Sequence, residues 1–343
     1  MNFSKRLIDW YLQNKRDLPW RDTKNPYLIW LSEIMLQQTR VAQGLPYYLS
    51  FTTNFPTVFD LANANEEKVL KLWQGLGYYS RARNLHQTAQ SVAFEMNGVF
   101  PNNYLDLLKL KGVGDYTAAA IASFAYNEAV PVVDGNVFRV LSRIFDVEDD
   151  ISNHSTKKIF VALAQELMPA KQASQFNQAI MEFGALQCVP RNPDCSICPF
   201  NDSCVALQKN KVHLLPVKTK KVKVTDRFLN YLIYIDSKNQ TIINKRTAKG
   251  IWQNLYEFPL LETETTVAQG FISENINQEN SIRAISLINN DEIIHKLTHQ
   301  KLHINFWKIN VDGILDNGIA LNEIKKYPFP IVIANFIDGN LEN

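Results

Sequence analysis

Outside one short stretch the chain has no cysteine: all four thiols of its 343 residues lie between Cys188 and Cys204. That clustering excludes a disulfide framework, which spreads cysteines along a short secreted chain. Long apolar runs are missing as well. No segment approaches the ~20 apolar residues of a membrane-crossing helix. The N-terminal residues MNFSKRLIDWYLQNKRDLPW have polar breaks every few positions and so lack a signal-peptide core. These absences predict a cytoplasmic protein without a membrane partner, in which clustered thiols bind metal; a monomer is expected. Repeats and low-complexity tracts are also absent.

The net charge of +2 is too weak to argue for nucleic acid, but its distribution is uneven. Residues 1–210 balance to zero, with 20 basic and 20 acidic side chains. Residues 211–227, KVHLLPVKTKKVKVTDR, hold six Lys or Arg against one Asp, and residues 228–343 sum to −3. Such a run suits a solvated linker, and a linker that touches phosphates would read the same. It also separates two textures. Before it, apolar residues recur at helical spacing: Phe3, Leu7, Trp10 and Tyr11 form one face behind an Asn2 cap, and Val69, Leu70, Leu72 and Trp73 continue the pattern. After it come β-type runs, FLNYLIYI, QTIINK and LHINFWKINV. The expected architecture is multidomain: an all-α domain over 1–210, a basic interdomain linker over 211–227, and a smaller α/β domain over 228–343.

The cysteine spacing is C-x6-C-x2-C-x5-C, from Cys188 through Cys195 and Cys198 to Cys204. Structural zinc more often uses two short pairs a dozen or more residues apart. One C-x-x-C flanked by single ligands suits thiolates wrapped around a compact iron–sulfur cube. Spacing by itself leaves both open.

Residues 110–118 carry Gly112-Val113-Gly114 between two helical patterns, YLDLLKL and YTAAAIASFAYN. Two glycines at i and i+2 permit a tight turn with positive φ and leave backbone N–H groups uncovered. A helix opening directly afterwards aims those donors at an anion. The segment reads as a helix–hairpin–helix clamp for a DNA phosphate, with a plain helix corner as the alternative.

Two carboxylates stand alone. Glu33 lies in NPYLIWLSEIMLQQT, apolar on most of its circumference, with Lys24 and Arg40 the nearest charges. Burial without a cation raises a carboxyl pKa and keeps a general acid loaded near neutral pH. Asp134, in AVPVVDGNVFRV, opens a helical run as a preferred N-cap. Backbone N–H bonds would hold it ionised, a fixed negative charge facing a developing cation. One protonated and one ionised carboxyl is an arrangement for cleaving a glycosidic bond.

The hairpin, the downstream Val-Asp-Gly-Asn and the four-cysteine loop, in that order, resemble the endonuclease III superfamily of DNA glycosylases. The narrower resemblance is to the MutY family, adenine DNA glycosylases that act opposite 8-oxoguanine. It runs through LPWR (18–21), SEIMLQQTRV (32–41), LWQGLGYYSRARNLH (72–86), VVDGNVFRVLSR (132–143) and FNQAIMEFGALQC (176–188). The resemblance implies a [4Fe-4S] cluster on the four cysteines and double-stranded DNA with adenine opposite 8-oxoguanine or guanine as partner. It also implies that Glu33 protonates adenine at N7 and that Asp134 stabilises the oxocarbenium ion, directly or through a transient covalent adduct. Tyr116 and Asn136 would position them. Leu18, Trp20 and Arg21 match the adenine pocket, and Gln38 and Tyr78 match residues that wedge into the base stack. Bifunctional relatives carry lysine two residues after the second hairpin glycine. Tyr116 stands there, which implies cleavage of the N-glycosidic bond alone.

Residues 228–343 are similar to the Nudix-like domain that this family uses to check for 8-oxoguanine, with GIWQNLYEFP (250–259) as landmark. The acidic box that holds magnesium in Nudix hydrolases is missing, so no pyrophosphatase activity is expected. The family's recognition loop reads Phe-Ser-His, and Leu297-Thr298-His299 stands at those positions. Thr298 keeps the hydroxyl and Leu297 loses the ring.

Overall fold

A computed structural model describes residues 3–219, 223–276 and 281–341. Asn2, expected to cap the first helix, and residues 220–222 of the basic segment lie outside the described residues. Contacts divide the chain into two compact units, Met1–Asn63 with Asn84–Lys220, and Ala64–Arg83 with Lys221–Asn343.

Helices fill the chain up to residue 208: α1 (Phe3–Asn14), α2 (Pro26–Leu36), α3 (Val41–Asn54), α4 (Val58–Asn63), α5 (Glu66–Leu72), α6 (Ser80–Gln90), α7 (Tyr104–Leu107), α8 (Asp115–Tyr126), α9 (Gly135–Phe145), α10 (His154–Leu167), α11 (Ala173–Leu186) and α12 (Val205–Gln208). The apolar face expected on the first helix is the one buried: Phe3, Leu7 and Tyr11 join the core formed by α9, α10 and α11. In α2 the Asn25 side chain accepts from Tyr27 N at 3.0 Å, and Pro26 starts the helix. Its remaining residues are almost all apolar, so it is buried nearly all round.

Only one of the two hairpin glycines is left-handed. Gly112 has φ +74°, and a Cβ there would meet Asn84 Cβ at 2.8 Å. Gly114 has φ −92° and acts as the N-cap of α8. The turn therefore requires glycine at 112 for conformation, while at 114 the missing side chain leaves open space.

The second unit holds β1 (Thr225–Ile235), β2 (Gln240–Thr241), β3 (Asn244–Lys245), β4 (Tyr256–Glu257), β5 (Leu260–Thr263), α13 (Gln269–Asn275), β6 (Ile282–Leu287), β7 (Ile293–Lys296), β8 (Gln300–Val311), β9 (Ile319–Ala320) and α14 (Ile331–Asn340). The three β-type runs lie on β1, on β2 and β3, and on β8. The main sheet runs β5-β1-β8-β6, and β7 also pairs with β8. β1 and β8 are parallel, from Thr225↔Gln300 to Ile235↔Asn310, and their central residues are buried. β7 and β6 lie antiparallel to β8, one on each half of its length.

The expected division at 210 is not a single cut. Residues 64–83 belong to the second unit because their polar groups find partners there. Glu66 accepts from Asn254 Nδ2 at 2.7 Å. Glu67 accepts from Lys245 Nζ and Tyr256 Oη, each at 2.8 Å. Lys71 donates to the Tyr327 carbonyl at 3.2 Å, and Gln74 Oε1 accepts from Phe329 N at 3.1 Å.

Candidate active site and iron–sulfur centre

The first unit carries a cleft of about 640 Å³ into which α2, α8, α9 and α11 each deliver polar groups. Seven of the expected site residues line it: Leu18, Trp20, Arg21, Glu33, Tyr116, Asp134 and Asn136. Gln38 is not among the lining residues.

Glu33 is 6% exposed on the inner face of α2. Burial pushes its pKa up to about 7, a hydrogen bond from Tyr116 and the charge of Arg21 pull it down, and Asp134 pushes it further up. A carboxyl half protonated near neutral pH can deliver a proton and take one back. The Tyr116 hydroxyl stays protonated, since burial and the two neighbouring carboxylates drive its pKa well above 10.

Asp134 caps α9 as expected. Its Oδ1 accepts from Asn136 N at 2.8 Å and Val137 N at 2.9 Å. Its Oδ2 accepts from Asn136 Nδ2 at 2.8 Å. The expectation that these donors dominate needs correcting: burial outweighs them, and the pKa is raised above the ordinary 3.8 rather than lowered. The hydrogen bonds and the Arg139 charge oppose that rise.

Asn136 is itself held in place. Arg139, one turn along α9, donates from Nη2 to Asn136 Oδ1 at 2.8 Å, so the amide must turn its NH₂ toward Asp134. The same guanidinium donates to the carbonyls of Gly184 at 2.5 Å and Cys188 at 2.7 Å. Gly184 lets α11 approach this point, for a Cβ there would meet Asn136 Cβ at 2.6 Å and its carbonyl oxygen at 3.0 Å.

Sequence reasoning missed one further part of the cleft's lining. Glu182, 1% exposed on α11, accepts two bonds from Arg16 side-chain nitrogens, at 2.9 and 2.6 Å, and one from its backbone N at 2.9 Å. Arg21 adds two more, at 2.8 and 2.5 Å. Burial would raise the Glu182 pKa, but these donors hold it at about 2. The signal was present: Glu182 is the only carboxylate in FNQAIMEFGALQC.

The four cysteines are free thiols that line one small pocket with Arg143, Phe183 and Leu207. Burial raises the thiols of Cys195, Cys198 and Cys204, with Cys198 pushed up to about 11. Arg143 Nη1 lies 3.4 Å from Cys188 Sγ, and Phe200 N donates to Cys198 Sγ at 3.4 Å. Among the described residues no three His, Cys, Asp or Glu converge as on one metal ion. The fit to a cluster therefore rests on four soft donors around a common pocket, with a guanidinium to balance thiolate charge.

Of the hairpin, Gly112 and Gly114 are exposed while Val113 is buried. In the second unit the structure brings together two residues expected separately: the Tyr78 and Thr298 hydroxyls are hydrogen-bonded at 2.5 Å. Tyr78 is 47% exposed. Tyr78 and Gln38 both have left-handed backbones, φ +48° and +54°, a conformation that strains non-glycine residues and gathers at functional positions. Leu297 is half-buried, and Thr298 and His299 are exposed at the turn between β7 and β8.

Residues 31–166 match the HhH-GPD superfamily of base excision DNA repair proteins, 188–204 the iron–sulfur binding domain of endonuclease III, and 230–339 the NUDIX domain. An adenine DNA glycosylase of Buchnera aphidicola (subsp. Baizongia pistaciae) is 37% identical over 320 residues, covering 92% of this chain and 89% of that protein. The adenine DNA glycosylase of Homo sapiens is 45% identical over 216 residues, covering 60% of this chain and 40% of that one. Among solved structures, a thermostable thymine-DNA glycosylase is 30% identical with a TM-score of 0.56, covering 60% of this chain and 95% of its own. A non-covalent endonuclease III–DNA complex, 21% identical over 60% of this chain and 94% of its own with a TM-score of 0.52, shares the fold.

Proposed function

The chain belongs to the adenine DNA glycosylase family, and on that premise we propose that it removes adenine lying opposite 8-oxoguanine or guanine in duplex DNA. The observation that carries the reading is the pair in the cleft: Glu33, raised to about 7 by burial, and Asp134, fixed by three hydrogen bonds. Adenine flipped out of the stack would enter this cleft, against Leu18, Trp20 and Arg21. Glu33 gives its proton to N7. The C1′–N9 bond then breaks, its electrons pass into the base, and Asp134 faces the cation left on the sugar. Water adds to C1′ and returns a proton to Glu33. General acid–base help of this kind contributes about 10²–10⁴-fold.

Tyr116 orients Glu33 and carries no amine, so no imine forms and the strand stays intact. Asn136, aimed by Arg139, holds Asp134. Cys188, Cys195, Cys198 and Cys204 would hold the cluster as thiolates and so would order the loop 188–204. Arg139 bonds the Cys188 carbonyl on that loop and in this way ties its order to the acid–base pair.

The amides at Gly112, Val113 and Gly114 suit a DNA phosphate. Gln38 and Tyr78, on strained backbone, suit wedges that fill the gap left by the extruded base. The domain expected over 228–343 reads the lesion through Leu297, Thr298 and His299, with residues 64–83 joined to its unit. The test uses duplexes with adenine opposite 8-oxoguanine, guanine or thymine. Strand breaks after hot alkali alone, fastest opposite 8-oxoguanine, are expected. Absence of abasic sites would overturn the assignment, and breaks without alkali would restore a lyase.

A further inference from the structure

We propose that His303 is a positioning residue that braces the β7–β8 hairpin against β1 through both ring nitrogens, and so fixes the turn 297–299. This rests on the proposed role of that turn in reading 8-oxoguanine. His303 lies on β8 between two neighbours, in register with Phe228 on β1 and Ile294 on β7. Its Nδ1 is 2.5 Å from Glu292 Oε2, one residue before β7. Its Nε2 is 2.8 Å from Asp226 Oδ1, on β1. The ring stacks on Phe228, with centroids 4.4 Å apart at 21°, and 12% of the side chain is exposed.

A neutral imidazole has one N–H and can donate to only one of these carboxylates. The imidazolium donates to both. The charged groups facing it are Glu292, Asp226 and Lys301, whose Nζ lies 3.8 Å from Asp226 Oδ1. Bonds to the two carboxylates, Glu292 first, outweigh burial and Lys301 and raise the pKa above 6.5. The other oxygen of Glu292 accepts from Thr266 Oγ1 at 3.0 Å, so the brace reaches structure beyond the hairpin. Around the turn the backbone has Leu297 N to Gln300 O at 2.8 Å and Thr225 N to His299 O at 3.0 Å. Thr298 itself is exposed; its hydroxyl is tied to Tyr78, while its backbone follows the strands that carry it.

The sign follows from the direction of the shift. With a raised pKa the double brace is complete below the ordinary value of 6.5 and is lost as pH rises through the folded-state pKa. The measurement is the ratio of single-turnover excision rates opposite 8-oxoguanine and opposite guanine, on the full chain between pH 6 and pH 8. Both substrates use the same acid, so protonation of Glu33 cancels in the ratio. In wild type the ratio should fall about twofold to fivefold across the range, the scale of a partly exposed charge pair, with a midpoint above 6.5. His303→Gln should start at the lower ratio and stay flat. Should that variant not fold, Glu292→Gln and Asp226→Asn each remove one anchor and should lower the ratio singly. Variants that keep both the ratio and its pH profile would overturn the brace. So would a ring-nitrogen NMR titration of the free protein with a His303 midpoint at or below 6.5. A wild-type enzyme with no preference for 8-oxoguanine removes the role of 297–299 itself, whereas a preference indifferent to His303 removes only the brace.

Discussion

Replacing Glu33 by Gln should slow excision about 10²–10⁴-fold and, at alkaline pH, make the protein more stable. Glu33 titrates near 7 in the folded chain against 4.5 when exposed. A carboxyl with a raised pKa binds its proton more tightly in the folded state. Folding therefore carries no penalty from it below 4.5, a growing one as pH rises toward 7, and the full one above. A gap of about 2.5 pKa units at 1.36 kcal/mol each is on the order of 3 kcal/mol. Glutamine has the same shape and no charge, so it escapes this cost.

The gain should be small at pH 5 and reach ~2–3 kcal/mol at pH 8.5, about 5–10 °C in melting temperature for a unit of this size. Comparing the two pH values cancels whatever the amide changes in its bond with Tyr116. Circular dichroism melts of both proteins at both pH values measure the difference. Single-turnover excision by the same samples should fall about 10²–10⁴-fold, while wild-type excision declines as pH rises through about 7. An equal difference in melting temperature at pH 5 and pH 8.5 would refute the raised pKa. Excision within a factor of two of wild type would remove Glu33 as the acid.

Tyr116→Lys should place an amine able to attack C1′, so borohydride should trap a protein–DNA adduct far more efficiently than with wild type, and some strands should break without alkali. Glu182→Gln should cost on the order of 3 kcal/mol in thermal or denaturant unfolding, because it leaves Arg21, 11% exposed, without its anionic partner. Gly184→Ala gains about 1 kcal/mol of helix propensity, but its Cβ would stand 2.6 Å from Asn136 Cβ and 3.0 Å from backbone oxygen. Overpacking of about 1–3 kcal/mol should win, and a displaced Asn136 should slow excision roughly tenfold to a hundredfold in single-turnover assays.

What the sequence made legible is what short-range rules determine. The buried helix around Glu33, the N-cap at Asp134 and the four-thiol loop depend on neighbours within a few positions. So does glycine at 112, where φ is +74°. The allegiance of residues 64–83 was not legible, because an amphipathic helix shows which face is buried and not what covers it. Glu66 and Glu67 look like a solvated first turn until Asn254, Lys245 and Tyr256 are folded against them. The hydroxyl pair of Tyr78 and Thr298, separated by 220 positions, is likewise invisible to any local window.

The two buried glutamates of the cleft show where the limit lies. Glu33 and Glu182 are both almost wholly enclosed, at 6% and 1% exposed, and both lie in apolar helical runs. Burial acts on each in the same upward direction. The outcome differs because Arg16 and Arg21, 166 and 161 positions away in sequence, direct four side-chain hydrogen bonds at Glu182, whereas Glu33 has a single bond from Tyr116 and only the weaker, longer-range charge of Arg21. One carboxyl is thereby held at about 2 and the other at about 7. Apolar neighbours in sequence accompany the burial of each, but only the fold assigns the cations. The division of labour in the cleft, an ionised glutamate and a proton donor lining the same space, follows from that assignment and not from either glutamate's own surroundings in sequence.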